Sequence, residues 1–494
     1  MKFQSTRDQS AAKLSAAQVI KQGLAADGGL FVPETIPQLT RADVEALCAM
    51  DYPARAATIL GKFLTDYTAE ELLADCKAAY APKSFVGGAA PLHKLNDSLH
   101  VMELWHGPTA AFKDMALQIM PRLLSRALVK TGEDRTALIL VATSGDTGKA
   151  ALEGYKDIER IKMMVFYPVD GVSTVQKLQM QTQTGANVNV TAIKGNFDDA
   201  QTGVKKIFSD SEIAKDLDKK GYFLSSANSI NWGRLAPQIV YYVSAYCDLL
   251  NSGEIKYGDL INVTVPTGNF GNIFAAYLAK RMGLPIDRLV CASNKNNILT
   301  DFLETGTYDR NRDFYLTMSP SMDILISSNL ERLLYFAAGA EKTAAYMRSL
   351  NETGAYTVDA ATKSVIDAHF AGYYADEQAT AKTIRDTMDE YGYLIDTHTA
   401  VAVSAAKDYQ TKTGDKKPMV VASTASPYKF AADVYTALTD RTPTSPLGAL
   451  DELSMRTGVE ITYPLRGIAE RQVRFTDVIE SRDMPAAMFA YLGK

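Results

Sequence analysis

Ala137-Leu138-Ile139-Leu140-Val141-Ala142-Thr143-Ser144-Gly145-Asp146-Thr147-Gly148 is the stretch whose reading decides the fold. An unbroken apolar row is what a strand buried on both faces requires, and such strands belong to parallel sheets covered by helices. Small, turn-forming residues then stop the run abruptly. Similar runs recur at residues 163–167, 188–193, 260–265, 289–293 and 419–422, with helical patterns at 174–184, 198–208 and 272–282 between them. Strand–helix alternation on this scale predicts an α/β fold with two parallel-sheet units, the smaller spanning about 135–230.

Upstream, residues 1–90 read as a mainly helical N-terminal layer, with helices at 12–24, 41–50, 54–64 and 69–80. Thr68 with Glu71 three residues on predicts a capping box for the last of these. Asp27-Gly28-Gly29 turns the chain into a short extended piece ending at Pro33. Residues 91–494 form the α/β body. Within it, 301–320 has weak periodicity, and helices are expected at 328–340 and 357–391.

Composition excludes several classes of function. A net charge of −5 is unlike a nucleic-acid binder, which needs a basic surface for phosphates. The 4 cysteines form no C-x-x-C pair, and the 5 histidines show no ligand spacing, so neither a disulfide framework nor a metal site is expected. No apolar run is long enough to span a membrane, and the N-terminus lacks a signal-peptide core. A soluble, cytoplasmic protein, monomer or homodimer, is the expectation.

The chemistry-bearing residues cluster at turns where open α/β sheets bind ligands. In residues 106–118 a Gly107-Pro108 turn leads through Phe112 to Lys113 and directly into a helix. Lys113 is either a solvated lysine or an amine kept neutral by burial so that it forms a Schiff base with a carbonyl. Pro266-Thr267-Gly268-Asn269-Phe270-Gly271-Asn272, between a strand and a helix, suits a single phosphate, since glycines let backbone N–H groups approach an anion at a helix start. Dinucleotide and nucleoside-triphosphate fingerprints are absent. Ser144, Gly145, Asp146 and Thr147 form a second anion cradle, with Asp146 alternatively an N-cap. Ser423-Thr424-Ala425-Ser426 offers hydroxyls to a heterocycle nitrogen or to the next helix. Asn228, Asn231 and Arg234 suggest recognition of an anionic ligand, or a loop that stabilises its own turns.

Taken together and in this order, these motifs resemble the threonine synthases of the fold-type II pyridoxal-phosphate enzymes. The resemblance runs from Ser5-Thr6-Arg7 through Lys113, Ser144–Gly148, Asn228–Arg234 and Gly268–Asn272 to Ser423-Thr424-Ala425. Asp8-Gln9 departs from the pattern. The resemblance implies a tryptophan-synthase-β-like fold and pyridoxal 5'-phosphate as cofactor, held by Lys113 as a Schiff base. Gly268, Asn269, Phe270, Gly271 and Asn272 would bind the cofactor phosphate, with Phe112 beside it and Thr424 facing the pyridine nitrogen. Ser144–Thr147 would hold the substrate carboxylate. Asn228, Asn231 and Arg234 are the first candidates for the substrate phosphate, ahead of Lys149 and Lys429.

The implied reaction turns O-phospho-L-homoserine and water into L-threonine and phosphate, by elimination of the γ-phosphate and addition of water at Cβ. The alternative is a phospho-lyase of the same family that releases 2-oxobutyrate, ammonia and phosphate. A dehydratase or β-replacement enzyme fits the 228–234 cluster less well, because its substrates lack the γ-phosphate. A non-catalytic relative would have no need of Lys113.

Overall fold

The computed structural model describes residues 1–493 except Ala11, Ser144 and Gly171. Among these residues, two sheets carry the fold. The five-stranded sheet runs in the order Val478–Glu480, Val188–Lys194, Ile161–Pro168, Thr136–Ala142, Tyr222–Ser225, every pairing parallel. The six-stranded sheet runs Phe370–Tyr374, Ile286–Ser293, Ile261–Pro266, Met419–Ser423, Leu99–Glu103, Leu92–Asn96. It is parallel except for its last pair, an antiparallel edge. This is the α/β architecture with parallel sheets that the apolar runs predict. The interior strands are buried along nearly their whole length, as Ile261–Pro266 illustrates, which is why they read as continuous apolar rows.

The strands that escape the sequence reading are polar or short. Leu92–Asn96 reads Leu-His-Lys-Leu-Asn because it is an edge strand with no fully buried residue, and Val478–Glu480 is a three-residue edge. The helix expected at 357–391 is instead a helix (Ala360–Asp367), a strand (Phe370–Tyr374) and a second helix (Glu377–Tyr391). Aromatics in Phe-Ala-Gly-Tyr-Tyr favour the strand, and Asp376 caps the new helix by accepting from the Ala379 amide. Gly372 is needed there, since a Cβ would press on the Thr300 backbone. Likewise, the helix after Lys113 breaks into Asp114–Leu117 and Met120–Lys130, with Pro121 in the first turn of the second.

Residues 1–90 contain the helices Ala16–Gln22, Arg41–Cys48, Tyr52–Phe63 and Ala69–Ala79, and Phe3–Ser5 pairs antiparallel with Phe31–Pro33. The Thr68/Glu71 capping box is formed, and Ser15 with Gln18 and Thr40 with Asp43 make two more. This layer docks through specific polar contacts. Arg7 forms a two-armed bond with Glu331, the Tyr80 hydroxyl donates to Met115 O (2.7 Å), and the Tyr67 hydroxyl donates to Leu123 O (2.9 Å). The last two grip the helices that follow Lys113.

At the centre lies Trp232–Asn251, a 20-residue helix buried on almost every side. Beside it the helix Asp146–Tyr155 crosses Asp114–Leu117 so closely that a Cβ on Gly154 would overlap the Leu117 carbonyl oxygen. Gly154→Ala should therefore push apart the two helices that carry Asp146 and Lys113, costing about 3 kcal/mol. Thermal unfolding measures this, and an unchanged midpoint would mean the crossing is not tight.

Candidate active site

Lys113 is held by the turn before it. The Asp114 carboxylate is fully buried and accepts from the Thr109 amide and the Thr109 hydroxyl, each at 2.8 Å. A Cβ at Gly107 would collide with that carboxylate, so the residue before Pro108 must be glycine. Ala110 is forced into the left-handed region (φ 59°), which L-residues other than glycine adopt at a cost. The strained loop is pinned to the end of Met419–Ser423: Phe112 N–H donates to Thr424 O (2.8 Å) and Ser426 N–H donates to Ala110 O (3.1 Å). Phe112, Lys113 and Thr424 are thus brought together.

The Lys113 amine lies 3.6 Å from Asp146 Oδ2 and donates to Ser321 Oγ at 3.3 Å, with its side chain only 12% exposed. Burial lowers its pKa. Asp146 opposes the fall, and the nearby charges of Lys429 and Arg234 add to it. Asp146 in turn bonds Lys429 Nζ through Oδ1 (3.0 Å) and accepts from Gln176 Nε2 (2.7 Å). Burial pushes the Asp146 carboxyl up, but Lys429 and Lys113 outweigh it and hold the group ionised, below the usual carboxylate range. Lys429 is fully enclosed and also donates to Thr109 O (2.7 Å). Arg234 is buried, its Nη1 donates to Ala227 O (2.8 Å), and its Nε has no partner among the described residues. Burial lowers its pKa to about 10. Two buried lysines therefore share one carboxylate, and Arg234, near enough to lower the Lys113 pKa, has no carboxylate partner among the described residues, which leaves positive charge for an anionic ligand.

A second anion cradle faces this group. Ile261–Pro266 ends at Thr267, and Gly271–Arg281 starts after Phe270, whose φ of 61° turns the backbone sharply. A Cβ at Gly268 would reach within 2.8 Å of Ser321 O, so the cradle and the Lys113 partner are in contact. Asn272 Oδ1 accepts from both Tyr241 (2.7 Å) and Tyr242 (2.5 Å), which fixes the amide orientation. Its Nδ2 is then buried without a partner among the described residues. An unpaired donor at the start of a helix, behind a glycine turn, is the donor set of a phosphate site.

The remaining expected residues divide. Gly145 (φ 145°) has its amide tied to Thr143 Oγ1 (3.0 Å), and a Cβ there would strike Gln176. Thr147 lies in the first turn of the helix Asp146–Tyr155, and Ser144 lies outside the described residues. Asn231 is committed to the fold: its Nδ2 donates to Ile20 O (2.9 Å) and its Oδ1 accepts from the Gly233 amide (2.8 Å). Asn228 is exposed, with its Oδ1 on the Ile230 amide (3.3 Å). Lys149 is buried but already paired with Glu153 (3.1 Å) and Gln183. Lys429, a late candidate in the sequence, is central in the structure. Its one sequence signal is a lone lysine set between Tyr428 and Phe430 just past a strand end. Gln176 and Ser321 carry no such signal.

The same chain matches known proteins along its length. Residues 2–80 match the family described as threonine synthase N terminus, 84–425 that of pyridoxal-phosphate dependent enzymes, and 399–482 that of threonine synthase, C-terminal. The threonine synthase of Pseudomonas aeruginosa is 38% identical over 457 residues, which cover 91% of this chain and 93% of that one. The chain belongs to the threonine synthase family. Among solved members of that family, the yeast threonine synthase superposes with a TM-score of 0.90 at 32% identity, covering 100% of this chain and 99% of its own. The pyridoxal-phosphate-bound threonine synthase of Brucella melitensis gives 0.87 at 37% identity, with 100% of both chains covered. Human threonine synthase-like 1 is 40% identical over 435 residues, 85% of this chain, and the chain spans 58% of the length of that relative.

Asp114 offers a direct check on the electrostatics of this family member. Burial raises its pKa to about 7, against the lowering effect of the Thr109 hydrogen bonds. Between the unfolded value of 3.8 and about 7 the folded state binds the extra proton, so this group's contribution to stability falls as pH rises through that window. Asp114→Asn keeps an acceptor for the Thr109 amide and cannot ionise. Its thermal midpoint relative to the parent should rise from pH 4 to pH 8, about where the titration lies. A difference independent of pH would mean that Asp114 is ionised throughout.

Proposed function

We propose that the protein converts O-phospho-L-homoserine and water into L-threonine and phosphate, with pyridoxal 5'-phosphate as cofactor and Lys113 as the residue that carries it. The observation that supports this most is the excess of buried cations: Lys113 and Lys429 share the carboxylate of Asp146, and Arg234 stands near Lys113 with no carboxylate partner among the described residues. A site for one cofactor phosphate alone would be served by the Gly268–Asn272 cradle. The second group of cations suits a second phosphate, on the substrate.

When bound, the cofactor supplies an electron sink for negative charge developing at the substrate carbons. Gly268, Asn269, Phe270, Gly271 and Asn272 hold its phosphate, chiefly through the helix start and the free Asn272 Nδ2. Thr424, its carbonyl engaged by the Phe112 amide at the strand end, would offer its hydroxyl to the ring nitrogen of the cofactor. The Lys113 amine, with a pKa already lowered by burial, takes the proton from Cα and shuttles protons among the substrate carbons; loss of a Cβ proton then supplies the electron pair that expels the γ-phosphate from Cγ. Arg234 and Lys429 hold the γ-phosphate while the Cγ–O bond breaks, stabilising the charge that gathers on the leaving oxygen. Cγ takes a proton and becomes a methyl group, water adds its OH to Cβ while its other proton ends on the departed phosphate, and Cα regains a proton. Asp146 acts as counter-ion to Lys113 and Lys429, and the helix start at Asp146 and Thr147 holds the substrate carboxylate.

Product analysis with O-phospho-L-homoserine tests the reading. Equal yields of threonine and phosphate are expected, and phosphate with 2-oxobutyrate would make the protein a phospho-lyase. Lys113→Ala should lower turnover at least ~10³-fold with the fold intact by circular dichroism. Retained activity would remove Lys113 from the mechanism. Arg234→Ala should raise KM for the phosphorylated substrate about 10- to 100-fold, the size of a lost charge-assisted hydrogen bond.

A further inference from the structure

Ser321 touches both halves of the site, yet it belongs to a short segment, residues 317–323, that lies between the strand Thr307–Asp309 and the helix Leu330–Ala338. Most of what fixes this strap comes from its own neighbourhood. The Asp323 carboxylate accepts from the Thr317 amide (3.0 Å), the Thr317 hydroxyl (2.7 Å) and the side chains of Asn294 (2.8 Å) and Asn296 (2.9 Å). Glu377 takes the Met318 amide (3.0 Å).

At Ser321 itself the hold is different. Its backbone N–H points at His398 Nε2, 3.1 Å away. A ring nitrogen that receives an N–H must be unprotonated, so the proton sits on Nδ1, where it is donated to Asp396 Oδ2 at 2.8 Å. His398 and Asp396 are buried, and the Phe430 ring packs 4.7 Å from the imidazole. The other Asp396 oxygen accepts from the Thr399 amide and hydroxyl, and that hydroxyl bonds Ser423 Oγ (2.9 Å), next to Thr424. One buried carboxylate therefore supports the strap through His398 and the late strand end through Thr399.

We propose that His398 is a positioning residue: as the neutral Nδ1–H tautomer it holds the Ser321 amide, and with it the strap, against Lys113 and the Gly268 turn. This rests on Lys113 being the reacting group but not on any particular substrate. With the Ser321 amide released, the strap keeps its inner network but loses its registration on the site. The Lys113 amine then loses a fixed partner, and the cradle loses the backbone that Gly268 packs on.

The test uses the holoenzyme. The ring 15N shifts of His398 in the parent protein should report the Nδ1–H tautomer. A ring protonated at Nε2 overturns the proposal outright, since two N–H groups cannot bond each other. His398→Phe should then speed amide exchange over residues 317–323 about tenfold, as expected for one lost hydrogen bond, while Thr136–Ala142 is unaffected. Its kcat should fall with KM little changed, and His398→Gln, whose amide oxygen accepts, should recover part of both losses. Unchanged exchange in a folded His398→Phe protein, or a loss confined to KM, refutes the clasp. Neither the exchange nor the 15N reading uses substrate, so a mistaken substrate leaves them intact.

Discussion

Two backbone hydrogen bonds, Phe112 N–H to Thr424 O and Ser426 N–H to Ala110 O, join parts of the chain more than three hundred residues apart. Each is worth only about 1 kcal/mol. Their geometric effect is much larger. They fix where the lysine loop meets the end of the late strand, and so where Lys113, Thr424 and Lys429 stand relative to one another. The left-handed Ala110 is tolerated because these bonds, together with the Asp114 bonds to Thr109, over-determine the loop.

The charge arrangement follows from that geometry. Buried cations without full compensation are costly, and a fold selected for stability alone would pair or replace them. Here Asp146 is shared between two lysines, while among the described residues Arg234 has a carbonyl for its Nη1 and nothing for its Nε. Asn272 repeats the theme with a neutral group, its oxygen doubly satisfied by tyrosines and its Nδ2 left open. Unmet buried donors at two places, Arg234 Nε and Asn272 Nδ2, are what the proposal of two anionic groups rests on.

Sequence periodicity reveals what is buried on both faces and hides what is not. Residues 137–142 and 261–265 announce their strands because neighbours cover both sides. Leu92–Asn96 and Phe370–Tyr374 do not, being only partly buried and rich in polar or aromatic groups. Glycines were informative wherever a tight turn also carried chemistry, as at Gly107, Gly145 and Gly268. Contacts formed by folding alone left no local trace. His398 meets Ser321 across 77 residues, and Asn231, which reads as a ligand-binding amide, spends its side chain on tying the N-terminal layer to the central helix. Polar composition shows that a loop makes hydrogen bonds, but the partner of each bond is a property of the tertiary structure.

The strand order has a bearing on how the chain reaches this state. Met419–Ser423 sits between Leu99–Glu103 and Ile261–Pro266, so the interior of the larger sheet is closed by one of the last strands to be made. At roughly 5–20 residues per second, the early hairpin waits tens of seconds on the ribosome before its parallel neighbour emerges. Until then the apolar face of Leu99–Glu103 and the inner edge of Ile261–Pro266 have no partner, and both are templates for pairing with another chain. The smaller sheet, apart from its terminal edge strand, is complete by Ser225 and folds without that delay. The nascent protein thus passes through a long interval with one finished half and one open half, in which it depends most on protection from aggregation.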